Sequence, residues 1–313
     1  MTDGPKIGLI VPRFEELPAF YQAADRMRFD SLWVTKMLFN RAWTGSRGLD
    51  PFGVLAAAAA VTSRIRLGTA VLWPLRQPIL SLANETANID SLSRGRLSLG
   101  LSNGTWPGEG DRDARRPKVG GRLKETITVL KALWSEPEVS FKGSHFNLRS
   151  ASVDYRPVQA GGIPIFVGGV TSASVNLAAT LADGWVHPSG GVPEGVRPGC
   201  QIVKRLASEA GRDPGSIELG KIIYLSIGDN RAEARNRIAP FLEVFYRGSY
   251  NVDSWCAFGP PAECAAFIRR FLDIGITTLM LCLVLPDVQQ LERLRNEVVP
   301  LLKCGGPAAK PDC

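Results

Sequence analysis

The chain has 313 residues, 45% hydrophobic and 21% charged, the balance of a globular protein with a large core, which excludes disorder, collagen and small disulfide scaffolds. Lys and Arg outnumber Asp and Glu by 37 to 30, a net charge of +7 that suits an anionic ligand, but the densest basic run (Arg112, Arg115, Arg116, Lys118, Arg122, Lys124) has no interleaved aromatic rings, so nucleic acid is not an expected partner. The six cysteines form no C-x-x-C pair and have no His at ligand spacing, and no signal-like start or membrane-length apolar run is read, so the expectation is a cytoplasmic protein with reduced thiols and no metal.

Short β-branched runs alternate with longer segments of helical period. Lys6 to Pro12 reads as a strand and Glu15 to Arg28 as its helix, then Ser31 to Thr35 as a strand before an Ala-rich helix opened by Asp50-Pro51 and running through Val61. Arg66 to Trp73 precedes a helix from Pro78 to Leu92, and Arg96 to Ser102 precedes one from Val119 to Trp134. Residues 135 to 162 carry Val139 to Phe141 and His145 to Leu148 around Lys142-Gly143-Ser144, which predicts a small inserted hairpin. Ile163 to Val167, Gly184 to His187, Glu218 to Ile227 and Thr277 to Val284 complete the strands, with helices at Ser172 to Ala182, Ala232 to Tyr246 and Pro261 to Ile274.

Eight strand-helix units without a linker predict one closed (β/α)₈ barrel spanning 1–313 rather than an open doubly wound sheet. Long segments at 36–49 and 103–118 follow strands two and four, on the side where such barrels build their sites; with 188–198 and 247–259 they are where specificity is expected.

The phrases Ser63-Arg64-Ile65-Arg66-Leu67-Gly68-Thr69-Ala70-Val71-Leu72, Leu92-Ser93-Arg94-Gly95-Arg96-Leu97-Ser98-Leu99-Gly100-Leu101, Pro164-Ile165-Phe166-Val167-Gly168-Gly169 and Ala182-Asp183-Gly184-Trp185, in this order, resemble the bacterial luciferase-like monooxygenase family. The resemblance runs from Lys6 to about Leu302. It implies a barrel that binds reduced FMN or the deazaflavin coenzyme F420 at the C-terminal ends of its strands, acts on a small organic substrate, and assembles as a homodimer, with a separate flavin reductase as partner where FMN is used.

Carried onto this chain, the resemblance implies a phosphate site at Gly168, Gly169, Val170, Thr171, Ser172 and Ser174, and a strained, often cis, peptide supporting the ring at Thr69, Ala70 and Val71. It also implies ring and ribityl contacts at Ser102, Asn103 and Gly104. Small residues before a helix N-terminus do suit a phosphate, though Gly-Gly followed by Thr-Ser is equally an ordinary capped turn.

The pattern departs at the end of strand two, where relatives carry an acidic residue and a His and this chain has Lys36-Met37. Lys36 could pair with an anionic group, and His187, at the end of strand six, becomes the proton-transfer candidate if its register points it at the site. His145 reads as structural. The missing imidazole favours an FMNH2- and O2-dependent monooxygenase over F420-dependent hydride transfer, with a non-catalytic flavin-binding protein as the third reading.

Overall fold

The computed structural model describes residues 4–10, 17–35, 50–74, 77–103, 119–246, 248–283 and 287–303. Its strands are β1 (Lys6–Ile10), β2 (Ser31–Val34), β3 (Arg66–Thr69), β4 (Leu97–Leu101), β5 (Val139–Lys142), β6 (Asn147–Ala151), β7 (Ile165–Gly168), β8 (Gly184–His187), β9 (Glu218–Ile227), β10 (Ala257–Gly259) and β11 (Thr278–Leu283). The order β9-β11-β1-β2-β3-β4-β7-β8 closes on itself through a β8–β9 pairing, and every ladder in this ring is parallel. This is the expected (β/α)₈ barrel. β10 adds a short parallel strand on the upper end of β9, opposite Leu225–Ile227.

The helices are α1 (Leu17–Arg26), α2 (Pro51–Val61), α3 (Ile79–Leu92), α4 (Val119–Ser135), α5 (Ser172–Thr180), α6 (Pro193–Glu209), α7 (Arg231–Tyr246), α8 (Val252–Trp255), α9 (Pro261–Leu272), α10 (Val288–Arg293) and α11 (Val299–Lys303), the last two joined by a π turn over Leu294–Val298. β5 and β6 form the inserted antiparallel hairpin, its second strand later than expected because Gly143 to Phe146 make the turn. Glu125 on α4 accepts the N–H groups of Ser144 (2.8 Å), His145 (2.8 Å) and Phe146 (3.1 Å), tying that turn to the barrel.

Strand residues alternate between two packed clusters, as period-two geometry requires of a barrel wall. Leu9, Leu32, Leu67, Leu99 and Ile165 pack with the helices, whereas Ile10, Trp33, Phe166, Val186 and Met280 pack with one another inside the ring. Trp33 fills much of that interior, its Nε1 donating to Ser31 Oγ at 2.7 Å and its ring edge-on to Phe166 at 5.2 Å. Gly68 on the next strand leaves the indole its room: a Cβ there would lie 2.5 Å from Trp33.

Three readings differ from the sequence expectation. β3 stops at Thr69, and the chain rejoins the sheet only as a single Leu72–Leu101 bridge. Residues 188–198, to which the sequence pattern assigns no element, enter α6, whose buried Val196, Cys200, Val203 and Ala207 keep helical spacing while Gly195, Pro198 and Gly199 mask it in the sequence. Likewise 247–259 contains α8 and β10.

Candidate active site at the C-terminal mouth

The chain leaves β3 through a cis peptide between Ala70 and Val71, where the resemblance placed one. Thr69 Oγ1 fixes the approach to it, donating to the Gly100 carbonyl at 2.9 Å and accepting from the Gly100 N–H at 2.9 Å. β4 must be glycine at that point, since a Cβ on Gly100 would sit 2.0 Å from the Thr69 carbonyl oxygen. Val71 in turn lies over β7, 2.9 Å from where a Gly168 Cβ would be. Thus Thr69, Ala70, Val71 and Gly168 pack as one contiguous unit at the strand ends.

Beyond it, Gly169 adopts a φ of 124°, a left-handed conformation that favours glycine, and leads into α5. Thr171 caps that helix by accepting from the Ser174 N–H at 3.2 Å, with its hydroxyl 2.9 Å from Ser174 Oγ. The Ser172 and Ala173 N–H groups at the first turn have no intrahelical acceptor, and Thr171 and Ser172 are exposed, so this end can receive an anion. Val170 projects outward beside it.

Ser102 and Asn103 follow β4, with Ser102 N–H held by the Leu72 carbonyl at 2.9 Å. The Asn103 Oδ1 and Thr35 Oγ1 atoms are both buried without a hydrogen-bond partner at the ends of β4 and β2. Two orphaned polar atoms beside a glycine-lined turn fit a polar ring system with a phosphate tail better than they fit an empty apolar mouth. Lys36, Gly104 and the neighbouring Met37, Trp106 and Glu109 lie outside the described residues.

An aromatic wall closes the side of strands β8 and β9. Tyr246 and Tyr250 stack at 4.4 Å, Tyr224 meets both edge-on, and Trp255 stands edge-on to Tyr250 at 5.0 Å. Their hydroxyls make a chain from Tyr224 to Tyr246 (3.1 Å) and on to Ser189 (2.9 Å) at the end of β8. Burial pushes Tyr224 and Tyr246 above the ordinary phenol range, so both hydroxyls stay protonated and hydrogen-bond as neutral groups. This group has no signature in the sequence, because the pattern of residues 247–259 assigns no element and nothing local announces that Tyr246 and Tyr250 meet Tyr224.

His187 corrects an expectation. Its strand neighbours Trp185 and Val186 point outward and inward respectively, so parity turns the imidazole outward, away from the mouth. There it lies edge-on to Trp185 at 5.5 Å, and its Nδ1 donates to the Pro188 carbonyl at 2.9 Å. Burial, with the Lys221 charge beside it, lowers its pKa to about 4, so it is neutral at physiological pH. Lys221 itself is fully buried and donates to the carbonyls of Pro188, Gly190 and Ile222, which pins the loop after β8 from below. Trp33 and Trp185 are packing residues, Trp185 donating its Nε1 to the Gly169 carbonyl at 2.7 Å.

With two histidines in the chain, His187 turned outward and His145 in the hairpin turn, the mouth contains no imidazole. Among the described residues no cluster of three His, Cys, Asp or Glu side chains could hold a metal, and no helix is long and apolar enough to cross a membrane. The four described cysteines, Cys200, Cys256, Cys264 and Cys282, are free and buried.

Among known proteins, the chain is 28% identical over 317 residues to an F420-dependent glucose-6-phosphate dehydrogenase of Kineococcus radiotolerans, covering 92% of this chain and 93% of that one. It is 31% identical over 241 residues to the pyrimidine monooxygenase RutA of Cronobacter sakazakii, covering 72% and 67%. A solved F420-dependent secondary alcohol dehydrogenase, 20% identical, superposes over 96% of this chain and 99% of its own with a TM-score of 0.82, which establishes the shared fold. The family of luciferase-like monooxygenases matches residues 2–254. The match covers more than half of the chain, and the chain therefore belongs to the luciferase-like monooxygenase family of oxidoreductases.

Proposed function

We propose that the chain is an F420-dependent oxidoreductase acting on a small organic substrate. The observation that carries this reading is the similarity to an F420-dependent dehydrogenase along nearly the whole of both chains. The coenzyme, when bound, would supply a hydride to an organic acceptor. Gly168, Gly169, Val170, Thr171, Ser172 and Ser174 would hold its phosphate, Thr69, Ala70 and Val71 would support its ring, and Ser102 and Asn103, with Gly104 outside the described residues, would contact the ring and its ribityl chain. A net charge of +7 favours an anionic coenzyme.

The aromatic wall of Tyr224, Tyr246, Tyr250 and Trp255 keeps water from that face. In the absence of an imidazole, a proton is held at Tyr246 Oη, between Ser189 Oγ and Tyr224 Oη. Lys36, where relatives carry an acidic residue, is assigned to pairing with an anionic group of substrate or coenzyme.

The second reading is an FMNH2- and O2-dependent monooxygenase supplied by a separate flavin reductase. It is favoured by the imidazole-free mouth and by the similarity to RutA. Anaerobic titration of the purified protein with F420 and, separately, with reduced FMN distinguishes the two. Micromolar F420 binding with weak FMNH2 binding is expected, and Gly169→Ala, checked by circular dichroism to be folded, is expected to weaken it at least about ten-fold, through loss of the left-handed turn. Selective FMNH2 binding replaces the first reading with the second, and a homodimer is the expected assembly in either case. Binding of neither would leave a barrel without its coenzyme.

A further inference from the structure

On the outer wall of the barrel, α5 and α6 border a cleft of about 530 Å³ with Trp185 beneath it. Glycines set its shape. Gly199 lets α6 approach the indole, since a Cβ there would be 2.5 Å from Trp185, whereas a Cβ on Gly195 would meet nothing within 4 Å, so that position opens space. Val175, Val196, Ile202 and Leu206 supply apolar sides. Ser172 and Asn176 line the cleft from α5, and His187, 8% exposed, lines it from β8 with its Nδ1 engaged by Pro188, which leaves Nε2 without a partner. A carbonyl can only accept, so Nδ1 carries the proton and Nε2 is an acceptor.

We propose that this cleft, which adjoins the phosphate turn at Val170 and Ser172, is a second binding site, for a planar aromatic molecule carrying an N–H or O–H donor, with the donor on His187 Nε2 and the ring beside Trp185. The chemistry selects that class. The acceptor belongs to a side chain only 8% exposed and opens into the cleft, which disfavours ligands lacking a donor. The volume lies within the range of small-molecule pockets. Because Trp185 also holds the Gly169 carbonyl, an occupant of the cleft shares a side chain with the phosphate turn.

The test needs no coenzyme, so its outcome is independent of the proposed function. Indole and its isostere indene, which has a CH2 in place of the N–H, are titrated calorimetrically into the full-length protein, with ¹³C-edited NMR of the two histidine rings. Indole is expected to bind about ten-fold more tightly than indene, the worth of one hydrogen bond to that acceptor, and to shift His187 but not His145. His187→Phe is expected to make the two probes equal, and Gly195→Leu, whose backbone has room for a side chain, to abolish binding of both. Equal affinities in the unaltered protein, binding that survives Gly195→Leu, a shift at His145 alone, or no binding of indole would each overturn the assignment.

Discussion

A methyl group on Gly100 would sit 2.0 Å from a backbone oxygen of Thr69, so at this residue the chain has no freedom at all. Gly100→Ala must displace the segment from Thr69 to Val71, and the expected cost is about 3 kcal/mol or more, read from the urea midpoint, with weakened coenzyme binding alongside. His187 makes a second prediction at this scale. In the unfolded chain it takes a proton near pH 6.5, but in the folded one only near 4. Between those values the unfolded state binds more protons, so stability is full above pH 6.5 and is lost as the pH falls toward 4, by roughly 3 kcal/mol. His187→Phe is expected to flatten that part of the stability-versus-pH curve, and an unchanged slope would show that the imidazole is not buried as described. His187 was visible in the sequence as a rare residue at a strand end; its outward direction was not, because one residue of register inverts every side chain on a strand.

At the scale of elements, Arg96 ties the lower ends of α2, β3 and β4 together. It donates to the carbonyls of Ser93 (2.6 Å), Ile65 (2.7 Å) and Thr62 (2.9 Å), and to Thr62 Oγ1 (2.9 Å). Asp25 on α1 closes the same end, accepting the N–H groups of Ser63 (2.8 Å), Arg64 (3.1 Å) and Ile65 (2.8 Å). Burial raises the Asp25 pKa, but these hydrogen bonds outweigh it and hold the carboxyl below its usual range. The Ser63-Arg64-Ile65 and Arg94-Gly95-Arg96 phrases that carried the family resemblance are thus framework rather than catalytic. A lysine has no planar fork to reach several carbonyls at once, so Arg96→Lys is expected to cost about 2–4 kcal/mol in denaturant unfolding while leaving coenzyme affinity in the folded protein unchanged. Helices with clean caps or a Pro start, such as α2 behind Asp50-Pro51, were legible at once. α6 was not, since Gly195, Pro198 and Gly199 interrupt its pattern for reasons of packing: Gly199 stands where Trp185 leaves no room for a side chain.

For the whole molecule, closure depends on β1 pairing with β11, Lys6 opposite Thr278 and Ile10 opposite Cys282, across nearly the full chain length. A ligand that binds only the closed barrel stabilises all of it, so the coenzyme in use is expected to raise the unfolding free energy by about 2.7 kcal/mol at one hundred times its Kd, seen as a higher Tm, and the other coenzyme to leave Tm unmoved. If neither changes Tm, the mouth does not hold a flavin-type coenzyme. The amino-acid sequence alone determined the alternation of strands and helices, the barrel, the family and the glycine turn before α5, because hydrophobic period, caps and glycines are local signals that survive in a linear string. Tertiary structure decided which way His187 faces, that Tyr224, Tyr246 and Ser189 share a hydroxyl chain, and that α5 and α6 border a cleft over Trp185. Each of those depends on register or on residues distant in the chain being brought to one place, and nothing in the neighbours of a single residue encodes it.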